Sequence, residues 1–269
     1  MRSKWIYIIT LIFYQSNLLS QNLAARNIAL GGAFLTQSDI LSASQNITKL
    51  SSIQSFSIAA STSNQLLIKE AQYSLITVGL PLLKNILAFD LSTYGFSLYR
   101  ELRLGVAYSI NLSPQFSLGL KFNYHQLILG ENLGNSSSFY PDIGSNYRFN
   151  EKLELAILFQ NITLSKKNKN WQQVWPVVST AGIKYEVNKL VHMYVESEIE
   201  LEHDISFRYG IEYNFKTLLT LRAGISSRPA TFSFGIGLVL KNFKVDLASS
   251  YHSIVGFSPA ISILYEKIP

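Results

Sequence analysis

From Ser52 onward the chain alternates apolar and polar residues with a period of two, the spacing of strands that turn one face to an apolar surrounding. In 102–110, Leu102, Leu104, Val106, Tyr108 and Ile110 share one face, and Arg103, Gly105, Ala107 and Ser109 share the other. After 111–115 the pattern resumes, with Phe116, Leu118, Leu120, Phe122 and Tyr124 against Ser117, Gly119, Lys121, Asn123 and His125. It returns at 204–215, where Ile205, Phe207, Tyr209, Ile211, Tyr213 and Phe215 oppose Asp204, Ser206, Arg208, Gly210, Glu212 and Asn214. In a soluble sandwich the apolar face would look inward. Here the other face carries charge, glycine and small polar groups in strand after strand. That combination predicts an all-β fold, an antiparallel transmembrane β-barrel with lipid outside and a wet lumen.

The alternation gives about fourteen strands. They fall at 53–62, 70–80, 84–94, 102–110, 116–129, 140–149, 152–162, 178–187, 190–202, 204–215, 217–226, 231–240, 243–251 and 259–266. An even number closes a barrel with both chain ends on one side. Links near Lys84, 111–115, 150–151, 188–189, Lys216 and 241–242 are short, whereas 63–69, 95–101, 130–139, 163–177 and 252–258 are mostly longer. Short periplasmic turns with longer outer loops are the asymmetry of outer-membrane barrels, which puts the N-terminus on the periplasmic side.

Residues 22–52 do not alternate, so the barrel is assigned to 53–269 and this stretch to an N-terminal hatch or plug. Residues 22–30 predict a short helix that Gly31 and Gly32 end, and 38–50 is polar and irregular. Ahead of it, Arg2 and Lys4 precede an apolar run of about ten residues and a polar segment ending at Ser20–Gln21. Residues 1–21 therefore read as a cleaved secretory signal.

Composition fits export to a membrane. Charged residues are 15% of the chain, against about 25% in an average soluble domain. Tyrosine (15) and phenylalanine (16) are abundant, as girdles at two interfaces require. The absence of cysteine excludes a disulfide scaffold, a cysteine zinc site and an N-terminal lipidated cysteine. Net charge is +6, and +4 without Arg2 and Lys4, with the basic residues scattered rather than striped, so a nucleic-acid partner is not expected. No cofactor is expected either.

Glu196, Glu198, Glu200 and Glu202 recur at strict two-residue spacing, so one strand face stacks four carboxylates about 6.5–7 Å apart. Such a column cannot face lipid. It reads either as a cation-selective wall or, preferred here, as a lumen charge ladder with Lys184 on the preceding strand and Arg208 and Arg222 on the next two. Gly31-Gly32 lacks the Lys-Ser/Thr of a nucleotide loop and reads as a hatch turn with positive φ. His125, His192, His203 and His252 lack metal-ligand spacing. His252 and Ser258 find no third partner for hydrolysis, so no enzyme is expected. Lys166, Lys167 and Lys169, followed by Trp171 and Trp175, form the most distinctive outer loop, suited to a partner or to lipopolysaccharide phosphates.

The hatch carries a recognisable motif: Ala25-Arg26, then Gly31-Gly32-Ala33, Asp39, and Asn46-Ile47-Thr48-Lys49-Leu50. It resembles the N-terminal signature of the PorV/PorQ proteins of Bacteroidetes, within the wider FadL-like superfamily, with Ile47 and Thr48 where that signature has Pro and Ala. Arg26, Gly31, Gly32, Asp39, Asn46 and Leu50 carry the match. The ending, 251–258 followed by 261–265, is similar to the family's final hairpin. The resemblance implies fourteen strands with a hatch in the outer membrane, and one of two roles. The first, and the expected one, is a component of type IX secretion or a related surface-export machine, with a protein partner. The alternative is a FadL-like channel for hydrophobic small molecules.

Overall fold

The computed structural model describes residues 24–67, 71–82, 85–130, 134–165, 175–200, 204–216, 218–254 and 256–267. Residues 1–21, expected as a cleaved signal, lie outside them, as do His203, Glu202 and the loop residues Lys166, Lys167, Lys169 and Trp171.

Fourteen antiparallel strands close on themselves, β1 pairing with both β2 and β14. They are β1 (Ser57–Asn64), β2 (Gln72–Leu82), β3 (Asn85–Phe96), β4 (Tyr99–Asn111), β5 (Phe116–Leu129), β6 (Gly134–Arg148) and β7 (Leu153–Gln160). The ring continues with β8 (Val178–Asn188), β9 (Val191–Glu200), β10 (Ser206–Phe215), β11 (Leu219–Ser227), β12 (Ala230–Leu240), β13 (Phe243–His252) and β14 (Gly256–Glu266). The end of the barrel at which β1 begins and β14 finishes is called the near end below, and the opposite one the far end. Closure gives every strand a hydrogen-bonded neighbour on each side, which is what a membrane demands of a strand structure.

The alternation sorts the side chains as its period requires. On β9, Val195 and Ile199 are 40% and 48% exposed on the outside, while Glu196, Glu198 and Glu200 are 1%, 4% and 7% exposed inside. The same outward apolar face continues through Leu104, Val106, Phe122, Phe207 and Ile236.

The far-end links differ from the sequence reading at 95–101 and 130–139. There the chain stays in strand pairing, β4 starting at Tyr99 and β6 at Gly134. Ser136, Ser137 and Ser138 pair with Leu127, Gln126 and His125. A hairpin that rises beyond the apolar belt meets polar surroundings on both faces, so it loses the alternation that marks a strand.

Among the described residues, one wall is incomplete. β6 pairs with β5 along its whole length, from Gly134↔Leu129 to Tyr147↔Phe116. Its pairing with β7 covers only Ile143 to Arg148. Pro141, which has no N–H to give a ladder, lies just beyond that limit. The chain leaves β7 at Asn161, whose φ is 53°. Among the described residues, the far half of β6 is met on this side by loop contacts instead: Ser165 Oγ donates to the Phe139 carbonyl over 2.6 Å, and Asn161 N–H to Asp142 over 2.9 Å.

The lumen is occupied by the chain's own N-terminal segment. The segment ahead of β1 forms the helix α1 (Ala25–Ala29) and two 3-10 turns, Ile40–Ser44 and Leu50–Ser52. α1 packs on β11 to β14, the first turn on β1 to β3 and the second on β3 and β4. This stretch therefore crosses the interior from wall to wall, with Leu30, Phe34, Leu35, Ile47 and Leu50 almost fully buried.

Candidate functional site

Inward-facing glycines are the surface on which the interior segment rests. A Cβ at Gly119 would stand 2.5 Å from the Ile47 carbonyl oxygen, and one at Gly210 would stand 2.9 Å from Leu30 Cβ. At Gly224 it would fall on the backbone of Leu30 and Gly31. Gly31 answers from the other side, since its own Cβ would lie 2.6 Å from the Ile225 backbone. Gly31 and Gly32 have φ of 68° and 89°, which glycine adopts without steric cost and which ends α1. Small residues on the inner face thus mark close backbone contact, where alternation alone suggests an aqueous channel.

Charge fastens the segment to the wall. Arg26 pairs with Asp39 of its own segment at 3.0 Å and with Glu212 of β10 at 3.1 Å. Glu212 also holds Arg222 at 2.6 Å, and Arg222 reaches Asp246 of β13 at 2.5 Å. Burial works against the Arg26 guanidinium, but Glu212, Tyr194 and Asp39 outweigh it and hold its pKa well above the ordinary value. Lys49 pairs with Glu154. Lys121, paired with Asp90 at 2.8 Å, also donates to the carbonyls of Ala43 and Ser44 at 3.2 and 2.6 Å. Asp39 caps the first 3-10 turn by accepting the Ser42 N–H at 3.0 Å. Asn46 donates to the carbonyls of Leu35 and Gln37 while its own oxygen accepts the Thr48 N–H at 2.8 Å. Arg26, Asp39, Asn46 and buried Leu50 are therefore fold-holding positions of the interior segment.

The glutamate column divides its work differently from the ladder predicted for it. Glu196 accepts the backbone N–H groups of Phe34 and Leu35 and so binds the interior segment. Glu198 pairs with Arg208 at 2.6 Å. That pair is diagonal, because Arg208 stands directly opposite Glu196 in the register. Glu200 is buried at the far end of β9, opposite Val178. Lys184 and Arg222 do not join the column. Strand register places Lys184 opposite Glu154 and Tyr194, nearer the near end, and Arg222 opposite Glu212. Counting strands fixes the neighbouring strand but not the height along it, so strand order does not reveal Glu212, Asp246, Glu154, Lys49 and Asp90 as partners.

Trp175, expected as an exposed loop contact, is instead 7% exposed and turned into the barrel. Its ring stacks on His125, with centroids 3.7 Å apart and 15° between planes. Its Nε1–H donates to Ser138 Oγ at 3.0 Å, and its carbonyl accepts from Asn161. Together with Tyr73, Tyr94, Tyr140 and Val178 it lines a cavity of about 60 Å³ in the far half of the lumen. Glu101, Arg103 and His125 supply its polar side, His125 Nε2 lying 3.3 Å from Glu101. Tyr140, Gln160 and Asn161 also border it, so the cavity sits behind the place where the β6–β7 ladder stops.

This geometry defines a class: a closed fourteen-stranded membrane barrel whose interior is occupied by its own N-terminal segment, with an aromatic cavity above that segment. No protein-family model matches the chain, and no curated protein matches it. Solved structures do. A CymD monoaromatic hydrocarbon channel aligns with TM-score 0.69 at 10% identity, covering 93% of this chain and 99% of that one. The Pseudomonas putida toluene transporter TodX gives 0.68 at 11%, covering 93% and 100%. The Ralstonia pickettii toluene transporter TbuX gives 0.67 at 11%, covering 92% and 98%. At these identities the likeness is one of fold.

Proposed function

We propose that this chain is a FadL-like outer-membrane channel for small hydrophobic molecules, with its N-terminus on the periplasmic side. The carrying observation is the aromatic cavity at the break in the wall. A flat apolar solute entering from the far end, which is then the cell surface, meets Tyr73, Tyr94, Tyr140 and Trp175. Aromatic walls favour such a solute through burial and ring stacking. Below it the interior segment, fastened at Lys121 and Ser44, closes the straight path to the near end. Beside it, among the described residues, the far half of β6 has no strand partner on its β7 side, and a solute can leave there into the membrane without crossing the charged interior. The fold shared with three hydrocarbon channels agrees with this reading. A role in type IX secretion of the PorV/PorQ kind draws on the N-terminal motif, whose residues here serve to fix the interior segment.

Initial uptake of radiolabelled toluene by intact Gram-negative cells, whose lipopolysaccharide leaflet slows such solutes, tests the channel. Cells expressing the protein should take up toluene faster than cells without it, and Trp175→Ala should lower the gain. Equal uptake with and without the protein would overturn the reading.

A further inference from the structure

A second cavity, of about 90 Å³, lies in the far half of the lumen against the opposite wall, over the Gly31-Gly32 turn. Its lining is of another kind. Register sets Ser233, Ser250 and Ser258 side by side on β12, β13 and β14. Arg208, Ser226 and Thr231 form a second row across β10, β11 and β12. Ser63 closes the ring on β1, and Arg228 stands at the rim, in the turn between β11 and β12. No carboxylate lines this cavity among the described residues.

Arg208 is the decisive group. It is 2% exposed, and its Nη2 donates to Glu198 at 2.6 Å, but its Nη1 has no hydrogen-bond partner among the described residues. Ser63 Oγ, also buried, is in the same position. Leaving a buried guanidinium N–H unmet is costly, and the cavity it borders is where a partner would sit. The partner must accept hydrogen bonds from a cation and from several hydroxyls at once. Oxygen atoms sharing a negative charge meet that requirement, and arginine presents its donors in the fork that suits them.

We propose that this cavity is a binding site for a small oxyanion, a phosphate or a phosphate-like group, held by Arg208 Nη1 and the hydroxyl rows. The site is separate from the aromatic cavity and stands whether or not that cavity passes hydrocarbons. Because the Gly31-Gly32 turn forms its floor, a bound anion touches wall and interior segment together. The group can come from a free solute or from a phosphorylated lipid headgroup.

Equilibrium dialysis of inorganic phosphate against the folded barrel, with its interior segment intact and in neutral detergent, provides the test. Saturable binding of one phosphate per barrel is expected. Arg208→Lys keeps a cation for Glu198 but loses the fork, and Ser250→Ala removes one hydroxyl from a half-buried position. The lysine variant should bind about tenfold more weakly or worse, in proportion to a lost hydrogen bond to a charged group, and the alanine variant measurably more weakly. Slower gel migration after boiling shows that each variant is folded. Displacement of phosphate by short-chain phosphatidic acid identifies a lipid headgroup as the source, and displacement by methyl phosphate alone a free solute. No saturable binding, or equal binding in the wild type and both folded variants, would overturn the site.

Discussion

The backbone N–H of Phe34 donates to the Glu196 carboxylate over 2.7 Å, joining the interior segment to a barrel strand 162 residues away in sequence. Leu35 gives its N–H to the same oxygen. One carboxylate thus satisfies two buried donors that no neighbouring strand can reach. Glu196→Ala should leave both unmet, at about 1–3 kcal/mol each, whereas Glu196→Gln keeps an accepting oxygen and should cost less. Denaturant unfolding in lipid, with proteolysis of the 24–56 segment as a second readout, compares them. Equal losses for the two variants would refute this anchoring role.

Arg26 and Glu212 form the second anchor, but neither depends on the other alone. Without Arg26, Glu212 still has Arg222 at 2.6 Å, while Asp39 loses its guanidinium partner. Arg26→Gln should therefore cost about 3 kcal/mol, the lower end for breaking a buried pair. The Arg26→Gln/Glu212→Gln double variant should be less damaging than the sum of its singles, with a coupling of about 0.5–3 kcal/mol. Strict additivity in a double-mutant cycle would mean that the contact contributes nothing of its own.

The inner glycines give a steric counterpart to these charges. A side chain at Gly224 collides with backbone at Leu30 and Gly31, which cannot swing aside as a side-chain tip can. Gly224→Val should displace the turn, costing about 1–3 kcal/mol as overpacking does, and should raise ion conductance in planar bilayers. Gly134, around which a Cβ meets nothing within 4 Å, supplies the control. Its φ of 91° makes asparagine the substitution to use there, and Gly134→Asn should leave conductance unchanged.

Much of the barrel was legible because a period of two reports directly which face meets lipid. Thirteen of the fourteen strands start within four residues of where alternation places them, and β6, whose first residues are serine-rich, is the exception at six. What lies inside was less legible, for two reasons. Polar and glycine faces look alike whether they meet water or backbone, so Gly119, Gly210 and Gly224 read as channel lining rather than as contact surface. Charge pairs depend on height along the strands, which a shift of two residues changes. Strand order therefore matches Lys184 and Arg222 to the glutamates, whereas the register sets Lys184 opposite Glu154 and Arg222 opposite Glu212, with which Arg222 pairs. Trp175 carries no signal of its inward turn, since a tryptophan beside lysines suits an interface equally well.

The outward face of β9 offers a test of depth as well as of side. Val195 lies mid-strand and Ile199 one residue from the far end of Val191–Glu200, so the two share a face about 13 Å apart along the strand. Both are two-fifths or more exposed and make no polar contact, so neither lysine variant breaks an interior bond. A lysine at mid-depth must reach through hydrocarbon to find water, whereas one at the rim reaches headgroups with its own side chain. Val195→Lys should therefore cost about 2–4 kcal/mol and Ile199→Lys about 0–1 kcal/mol in lipid. In detergent micelles, which adapt around a charge, the gap between them should narrow. Unfolding free energies measured in both media decide the matter. Equal small costs in lipid would mean that this face of β9 does not meet the bilayer. A larger cost at Ile199 than at Val195 would place the bilayer midplane nearer the far end, and the aromatic cavity with it.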